Sequence, residues 1–178
     1  MGEFLMNYLN EIQRTMKFMA NNRKTLFLGQ SVKVPGNLIF KSLESVSKKQ
    51  KIELPVFEDA QLGMSIGLSL SGYIPITCYP RFDFLLLAFN QLINHLDKME
   101  QISSKEFKPF VIVRVLVGSK FPVDAGLQHT QNYSKELKSM MKFIDVINLN
   151  NEKKIFQGYK KYFNKKKSAV FIEYSNKY

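Results

Sequence analysis

The sequence predicts an α/β fold, an open and mainly parallel sheet with helices on both faces. Strand-like and helix-like segments alternate along the chain, the order that builds parallel strand-helix-strand units. The run at residues 110–117 is apolar on successive positions, as expected of a strand covered on both sides. With 178 residues, 45% hydrophobic content and 15 phenylalanines, the chain has enough material for a single core.

Taken in order, an amphipathic helix at residues 8–20 leads into a strand at residues 25–29, followed by a variable segment containing Pro35 and Gly36. Residues 54–58 form a short apolar strand-like run that ends on Glu58. Asp59 then stands where it can cap a helix over residues 59–70. Gly63 and Gly67 lie four apart and share one face of that helix. Each costs roughly 1 kcal/mol relative to alanine, so close packing by another helix, or a ligand approaching the bare backbone, is expected to recover the loss. A strand at residues 74–79 precedes a long helix at residues 84–102, with Leu85, Ala88, Phe89, Leu92, Ile93 and Leu96 at helical spacing. After the strand at 110–117 come a loop at 118–131, a helix at 134–141, a strand at 144–149, a helix at 152–163 and a strand at 169–174. No internal repeat is visible.

No apolar run approaches the roughly 18 residues needed to cross a bilayer, and the N-terminus lacks the pattern of a secretory signal. The expectation is a cytoplasmic protein with no membrane partner. Residues 1–5 read as a cloning scar ahead of Met6, leaving residues 6–178 as one domain. Cys78 is the only cysteine, so neither an intrachain disulfide nor a cysteine-based zinc cluster can form. The net charge of +11 raises nucleic-acid binding. Its distribution argues for a solvated basic surface instead, because the dense lysine runs at 48–51 and 165–167 fall between elements without interleaved aromatics. Biased codon usage, or attraction of an acidic partner subunit, also accounts for the charge.

In such sheets, ligands gather beyond the carboxyl ends of the strands. Glu58, the turn at 79–84 and the loop at 118–129 each follow a strand and can converge there.

These same residues resemble a family. Pro55-Val56-Phe57-Glu58 followed by Gly63-Met64-Ser65-Ile66-Gly67, Ser71-Gly72-Tyr73-Ile74-Pro75-Ile76, Asp83-Phe84, and Ala88-Phe89-Asn90-Gln91-Leu92-Ile93-Asn94 looks like the beta subunit of the decarboxylating component of 2-oxo-acid dehydrogenases. That subunit carries the pyrimidine-binding domain of thiamine diphosphate enzymes. The likeness continues through Phe110-Val111-Ile112-Val113-Arg114 and Leu127-Gln128-His129-Thr130-Gln131, where the family reads Leu-x-His-Ser-Gln, and reaches the last strand. Five blocks in order carry it, and it spans nearly the whole chain.

The resemblance implies thiamine diphosphate as cofactor, held by this chain at its pyrimidine end. A carboxyl hydrogen-bonded to the pyrimidine favours the imino tautomer, whose nitrogen takes the proton from the thiazolium carbon, and by resemblance Glu58 has this catalytic and cofactor-binding role. Read locally, Glu58 is a helix-start acid favoured by the macrodipole. Phe84 falls where relatives stack an aromatic on the aminopyrimidine, though core packing accounts for it equally well. Leu62 is the third cofactor-binding candidate, lining the same pocket. His129 matches a histidine near the reacting carbon and is the second catalytic candidate; a polar surface group is its ordinary reading. His95 reads as structural, and Arg114 as an ion-pair member or a substrate contact.

The Gly-Asp-Gly diphosphate and magnesium motif of the family is missing, as is the further C-terminal domain of its beta subunits. The expected partner is a subunit that supplies the diphosphate-binding domain and holds magnesium, in a heterotetramer, with no metal bound by this chain. The implied activity is decarboxylation of a small-molecule 2-oxo acid or transfer of the derived acyl or two-carbon unit, placing the chain among oxidoreductases or transferases. The alternatives are a transketolase-like split enzyme acting on a sugar or biosynthetic intermediate, and a non-catalytic interaction module. The segment 118–126 departs from the family's glycine-rich loop, and 148–151 replaces a proline-containing turn near a structural potassium site.

Overall fold

The computed structural model describes residues 7–121 and 124–178. The scar expected at residues 1–5, and Pro122 and Val123 of the 118–126 loop, lie outside the described residues. Six strands, β1 (Thr25–Gly29), β2 (Lys51–Glu53), β3 (Ile74–Tyr79), β4 (Ile112–Val117), β5 (Asp145–Asn148) and β6 (Ala169–Tyr174), pair in parallel in the order β2-β1-β3-β4-β6-β5. The helices are α1 (Tyr8–Ala20), α2 (Leu38–Ser42), α3 (Glu58–Leu70), α4 (Phe82–Leu85), α5 (Met99–Ile102), α6 (Ser134–Met140) and α7 (Ile155–Lys165). The mainly parallel sheet expected from the alternation is thus parallel throughout.

Alternation along the strands divides the core. Phe27, Ile76, Cys78, Ile112, Leu116 and Phe171 face one way, against Ile12, Met16 and Met19 of α1, Ile39 of α2, and Ile155 and Tyr159 of α7. Val113, Val115, Val117, Val170 and Ile172 face the other, against Leu62 and Ile66 of α3, Leu92, Leu96 and Leu137. All six residues of β4 are buried, which accounts for its unbroken apolar run.

Three expectations need correction. The strand at 54–58 lies earlier, at β2. Leu54 N–H still donates to the Gly29 carbonyl at 3.1 Å, but Pro55 has no N–H to continue the ladder, so the chain leaves the sheet there. The segment around Pro35 and Gly36 contains α2, whose first turn is capped by the Asn37 side chain accepting from Phe40 N–H at 2.8 Å. The long helix at 84–102 is also not uniform. It runs as α4, a 3₁₀ turn (Leu86–Ala88), a π-helical segment (Asn90–Leu96) and α5. Its apolar face survives the change of winding, since Leu85, Ala88, Leu92 and Leu96 remain buried. The π segment ends at Asp97, whose buried carboxylate accepts from the Lys142, Phe143 and Ile144 N–H groups at 3.0, 2.9 and 2.9 Å. That carboxylate ties the approach to β5 onto the helix.

Gly63 and Gly67 do not meet a close neighbour within the chain. A Cβ at Gly63 would meet Gln91 at an ordinary 3.6 Å, and at Gly67 nothing within 4 Å. Among the described residues, no close packing recovers the cost of these glycines. No helix among the described residues is long and apolar enough to cross a membrane.

Candidate cofactor-binding site

The order of strands reverses at β1. The chain passes from β1 outward to β2 through α2 on one face, then returns to β3 through α3 on the other, so β1 and β3 flank a topological switch point. A crevice at the carboxyl ends of the strands is the expected ligand position of such a sheet. Gly29 closes β1 with φ +143°, and a Cβ there would sit 2.3 Å from the Cys78 carbonyl of β3 and 3.0 Å from Gln61 Nε2. Only glycine fits. Gln61, buried in α3, donates to Thr77 Oγ1 at 2.7 Å and to the Cys78 carbonyl at 3.1 Å, pinning the start of α3 to the end of β3.

Glu58 opens α3 immediately after Phe57, its N-cap residue. Its flanks Val56 and Phe57 are 64% and 63% exposed, yet Glu58 itself is only 5% exposed. Tyr79 O–H of β3 donates to the Glu58 carbonyl oxygen at 3.3 Å. The Glu58 carboxyl takes part in no hydrogen bond or ion pair among the described residues. Its oxygens are not among the buried polar atoms left without a partner, so the carboxyl still reaches water and is open to a donor from outside the chain. The neighbouring Asp59 is occupied, accepting from Gln91 Nε2 at 3.3 Å.

Leu62 lies one turn after Glu58 on the same face of α3 and is fully buried in the core. Its side chain belongs to the core and is closed to solvent. Phe84 in α4 and His129, which closes a 3₁₀ turn (Leu127–His129), are both half-buried. Their rings meet edge to face, with centroids 5.4 Å apart at 80°. The structure therefore brings Phe84 against His129, and places Glu58 and Leu62 one turn apart on α3.

Sequence reading did not single out Gly118 or Arg81. Gly118 follows β4, and a Cβ on it would lie 1.7 Å from the His129 carbonyl oxygen and 3.2 Å from Arg81 Cδ. Arg81 is half-buried between β3 and α4. Burial lowers its proton affinity and the nearby Asp83 works the other way.

Arg114 is not at this crevice. It is fully buried in β4, where Nε and Nη2 donate to Glu173 of β6 at 2.7 and 2.8 Å, and Nη2 also donates to Ser42 Oγ and Tyr178 Oη. Burial is the largest influence and works against its charge, but Glu173, Tyr178 and Cys78 together outweigh it and hold Arg114 well above the ordinary arginine range. Tyr159 O–H donates to Glu173 at 2.6 Å, and Tyr178 O–H donates to the same carboxylate. Arg114 is thus an ion-pair member within the fold. His95 is exposed on the π segment, remote from any cluster of metal-ligating side chains, and none of three or more such groups occurs among the described residues.

Glu58 carries a carboxyl without a partner among the described residues, and Phe84 stands edge to face with His129. Both sit where the strands end.

No family model matches the chain. Among curated proteins it is 30% identical over 92 residues to the pyruvate dehydrogenase E1 component subunit beta of Rickettsia conorii, covering 52% of this chain and 28% of that one. It is 28% identical over 133 residues to the 2-oxoisovalerate dehydrogenase subunit beta of Bacillus subtilis, covering 72% and 40% respectively. The matched region thus spans less than half the length of these relatives. Among solved structures, a split-gene transketolase described as an inactive beta4 tetramer superposes with a TM-score of 0.72 at 14% identity, covering 94% of this chain and 51% of that one. A benzoylformate decarboxylase from Polynucleobacter necessarius superposes with a TM-score of 0.62 at 13% identity, covering 92% and 32%. The chain shares its fold with the split-gene transketolase and the benzoylformate decarboxylase, and over part of its length it is similar in sequence to the beta subunits of 2-oxo-acid dehydrogenases.

Proposed function

We propose that this chain is the pyrimidine-binding subunit of a two-chain thiamine diphosphate-dependent enzyme that decarboxylates a 2-oxo acid, or transfers the acyl or two-carbon unit derived from it. The observation that carries this reading is Glu58, 5% exposed beside the strand ends and without an internal partner. When bound, thiamine diphosphate supplies the electron sink for cleavage next to a carbonyl. Glu58 exchanges a proton with the pyrimidine ring. Phe84 supports the ring by aromatic contact, Leu62 supplies apolar floor beneath Glu58, and His129, braced by Phe84, handles protons at the substrate. A partner chain holds the diphosphate and magnesium, consistent with the absence of a Gly-Asp-Gly motif from this sequence. The complex is a heterotetramer in the cytoplasm.

A second reading within the same chemistry, a split transketolase acting on a sugar, is favoured by the superposition on a split-gene transketolase. The two share the test. This chain is co-expressed with a chain carrying the Gly-Asp-Gly motif, and the purified pair is supplied with thiamine diphosphate and magnesium. Consumption of a 2-oxo acid supports the first reading, and of a ketose phosphate the second. Glu58→Gln is expected to lower turnover at least 100-fold with the fold intact. Full activity in that variant excludes Glu58 as the group that exchanges a proton with the pyrimidine.

A further inference from the structure

Lys51 opens β2, the edge strand, yet it is only 6% exposed. It pairs with Phe27 of β1, which faces the α2 side of the sheet, and its ammonium lies 5.5 Å from the centre of the Phe40 ring of α2. That nitrogen makes no hydrogen bond or ion pair among the described residues. A lysine so well covered is ordinarily matched by a carboxylate. Here the stem is covered while the tip reaches a cavity, since the nitrogen is not among the sealed polar atoms.

The cavity, about 360 Å³, is lined by Lys33, Phe40, Glu44, Val46, Lys48 and Lys51. Lys51 stands at the amino end of β2, whereas Glu58 follows its carboxyl end. Lys33 and Lys48 are exposed at the cavity and form no ion pair among the described residues, so with Glu44 as the single acid the lining favours an anion. Burial lowers the proton affinity of Lys51, Glu44 opposes that shift and Lys48 adds to it. An amine desolvated in an apolar setting, or placed beside another cation, is a lysine disposed to attack carbonyl carbon. Lys51 has both conditions.

We propose that Lys51 is a covalent capture site that binds a flat, anionic aldehyde as an imine. The ammonium first gives its proton to water or to the Glu44 carboxylate. The neutral amine then adds to the aldehyde carbon, forming the C–N bond, and a proton passes from nitrogen to oxygen. Loss of that oxygen as water breaks the C–O bond and leaves the C=N bond, with nothing oxidised or reduced. Phe40 lies against the conjugated face of the adduct, and Lys33 and Lys48 pair with its anionic group. None of these residues takes part in the Glu58 reading.

The test treats the full chain with limiting pyridoxal 5′-phosphate, an aromatic aldehyde bearing a phosphate, then reduces the imine with borohydride and maps it by peptide mass spectrometry. Lys51 is expected to carry the label at least about tenfold above the mean of the other lysines. The imine absorbance of the parent should be lost in Lys51→Arg, which keeps the charge but has no nucleophilic amine. Pyridoxal, which lacks the phosphate, should label Lys51 several-fold less, as should pyridoxal 5′-phosphate on the Lys33→Ala, Lys48→Ala double variant. Label spread over the exposed lysines, or an unchanged absorbance in Lys51→Arg, would overturn the proposal. Equal labelling of Lys51 by pyridoxal would overturn it too, because the anion would then play no part. If Lys51→Arg does not fold, the site map of the parent and the pyridoxal comparison decide. These measurements use neither thiamine diphosphate nor turnover.

Discussion

Gly118 and His129 meet backbone to backbone: a methyl group on Gly118 would lie 1.7 Å from the His129 carbonyl oxygen. This contact seats the histidine loop on the end of β4 and sets how far the His129 ring reaches toward Phe84. Gly118→Ala must push the loop away. The expected cost is about 1–3 kcal/mol of stability, with a fall in kcat/KM of the assembled enzyme of tenfold or more. Thermal denaturation and steady-state kinetics check the two arms. An unshifted Tm would mean that the loop relaxes without strain.

Glu58→Gln separates catalysis from folding. Because the carboxyl has no hydrogen-bond partner among the described residues, replacing it with a neutral amide removes no internal interaction. The isolated variant should be at least as stable as the parent at pH 7, as measured by urea titration. A loss of about 2 kcal/mol or more would reveal a structural partner for Glu58.

The Arg114–Glu173 pair, at 2.7 Å with neither side chain exposed, should behave as a coupled unit. Arg114→Met leaves the Glu173 carboxylate buried with two tyrosine donors and should cost about 3–5 kcal/mol. Adding Glu173→Leu should restore most of that loss, since an apolar pair of similar volume often substitutes for a buried ion pair. A double-mutant cycle by chemical denaturation measures the coupling.

Alkaline stability should decline in a defined window. Burial pushes the Cys78 thiol up to about 11, with Arg114 opposing the shift. The Tyr162 hydroxyl is pushed up to about 12, by burial and then by its bond to Asp145. Both groups hold their protons more tightly when folded, so their stabilising contribution is complete below their ordinary values, 9.0 for the thiol and 10.0 for the phenol. It is lost as pH rises through about 11 and about 12. Urea midpoints between pH 8 and 11 should fall, and fall less steeply in Cys78→Ala. In the folded chain at pH 8, Cys78 should resist thiol reagents that modify it at once after unfolding.

Much of the architecture is legible from local patterns. The bounds of α1, β1, β3 and β6 match the periodicity of side chains, because each buries a regular face and packs on neighbours that the same periodicity implies. The strand before Glu58 was less legible. Its pairing begins at Lys51, a residue of low strand preference that is only 6% exposed beside Phe40, and it ends before Pro55. The interruption of the long helix was hidden as well. A 3₁₀ turn followed by a π segment keeps Leu85, Ala88, Leu92 and Leu96 on one face, so the apolar spacing resembles that of an unbroken helix.

Glu58, Phe84 and His129 were readable as candidates from the blocks they stand in, because each block is contiguous and its order along the chain survives folding. Contacts across distant segments were beyond that reach. Gly118 against His129 and Arg114 turned into the sheet to meet Glu173 both join residues from different strands or loops. Periodicity and motif record which side of an element a residue occupies. Which groups end up facing one another, and which are left without a partner, follows from strand order and register, and these are set by packing among segments far apart in the chain.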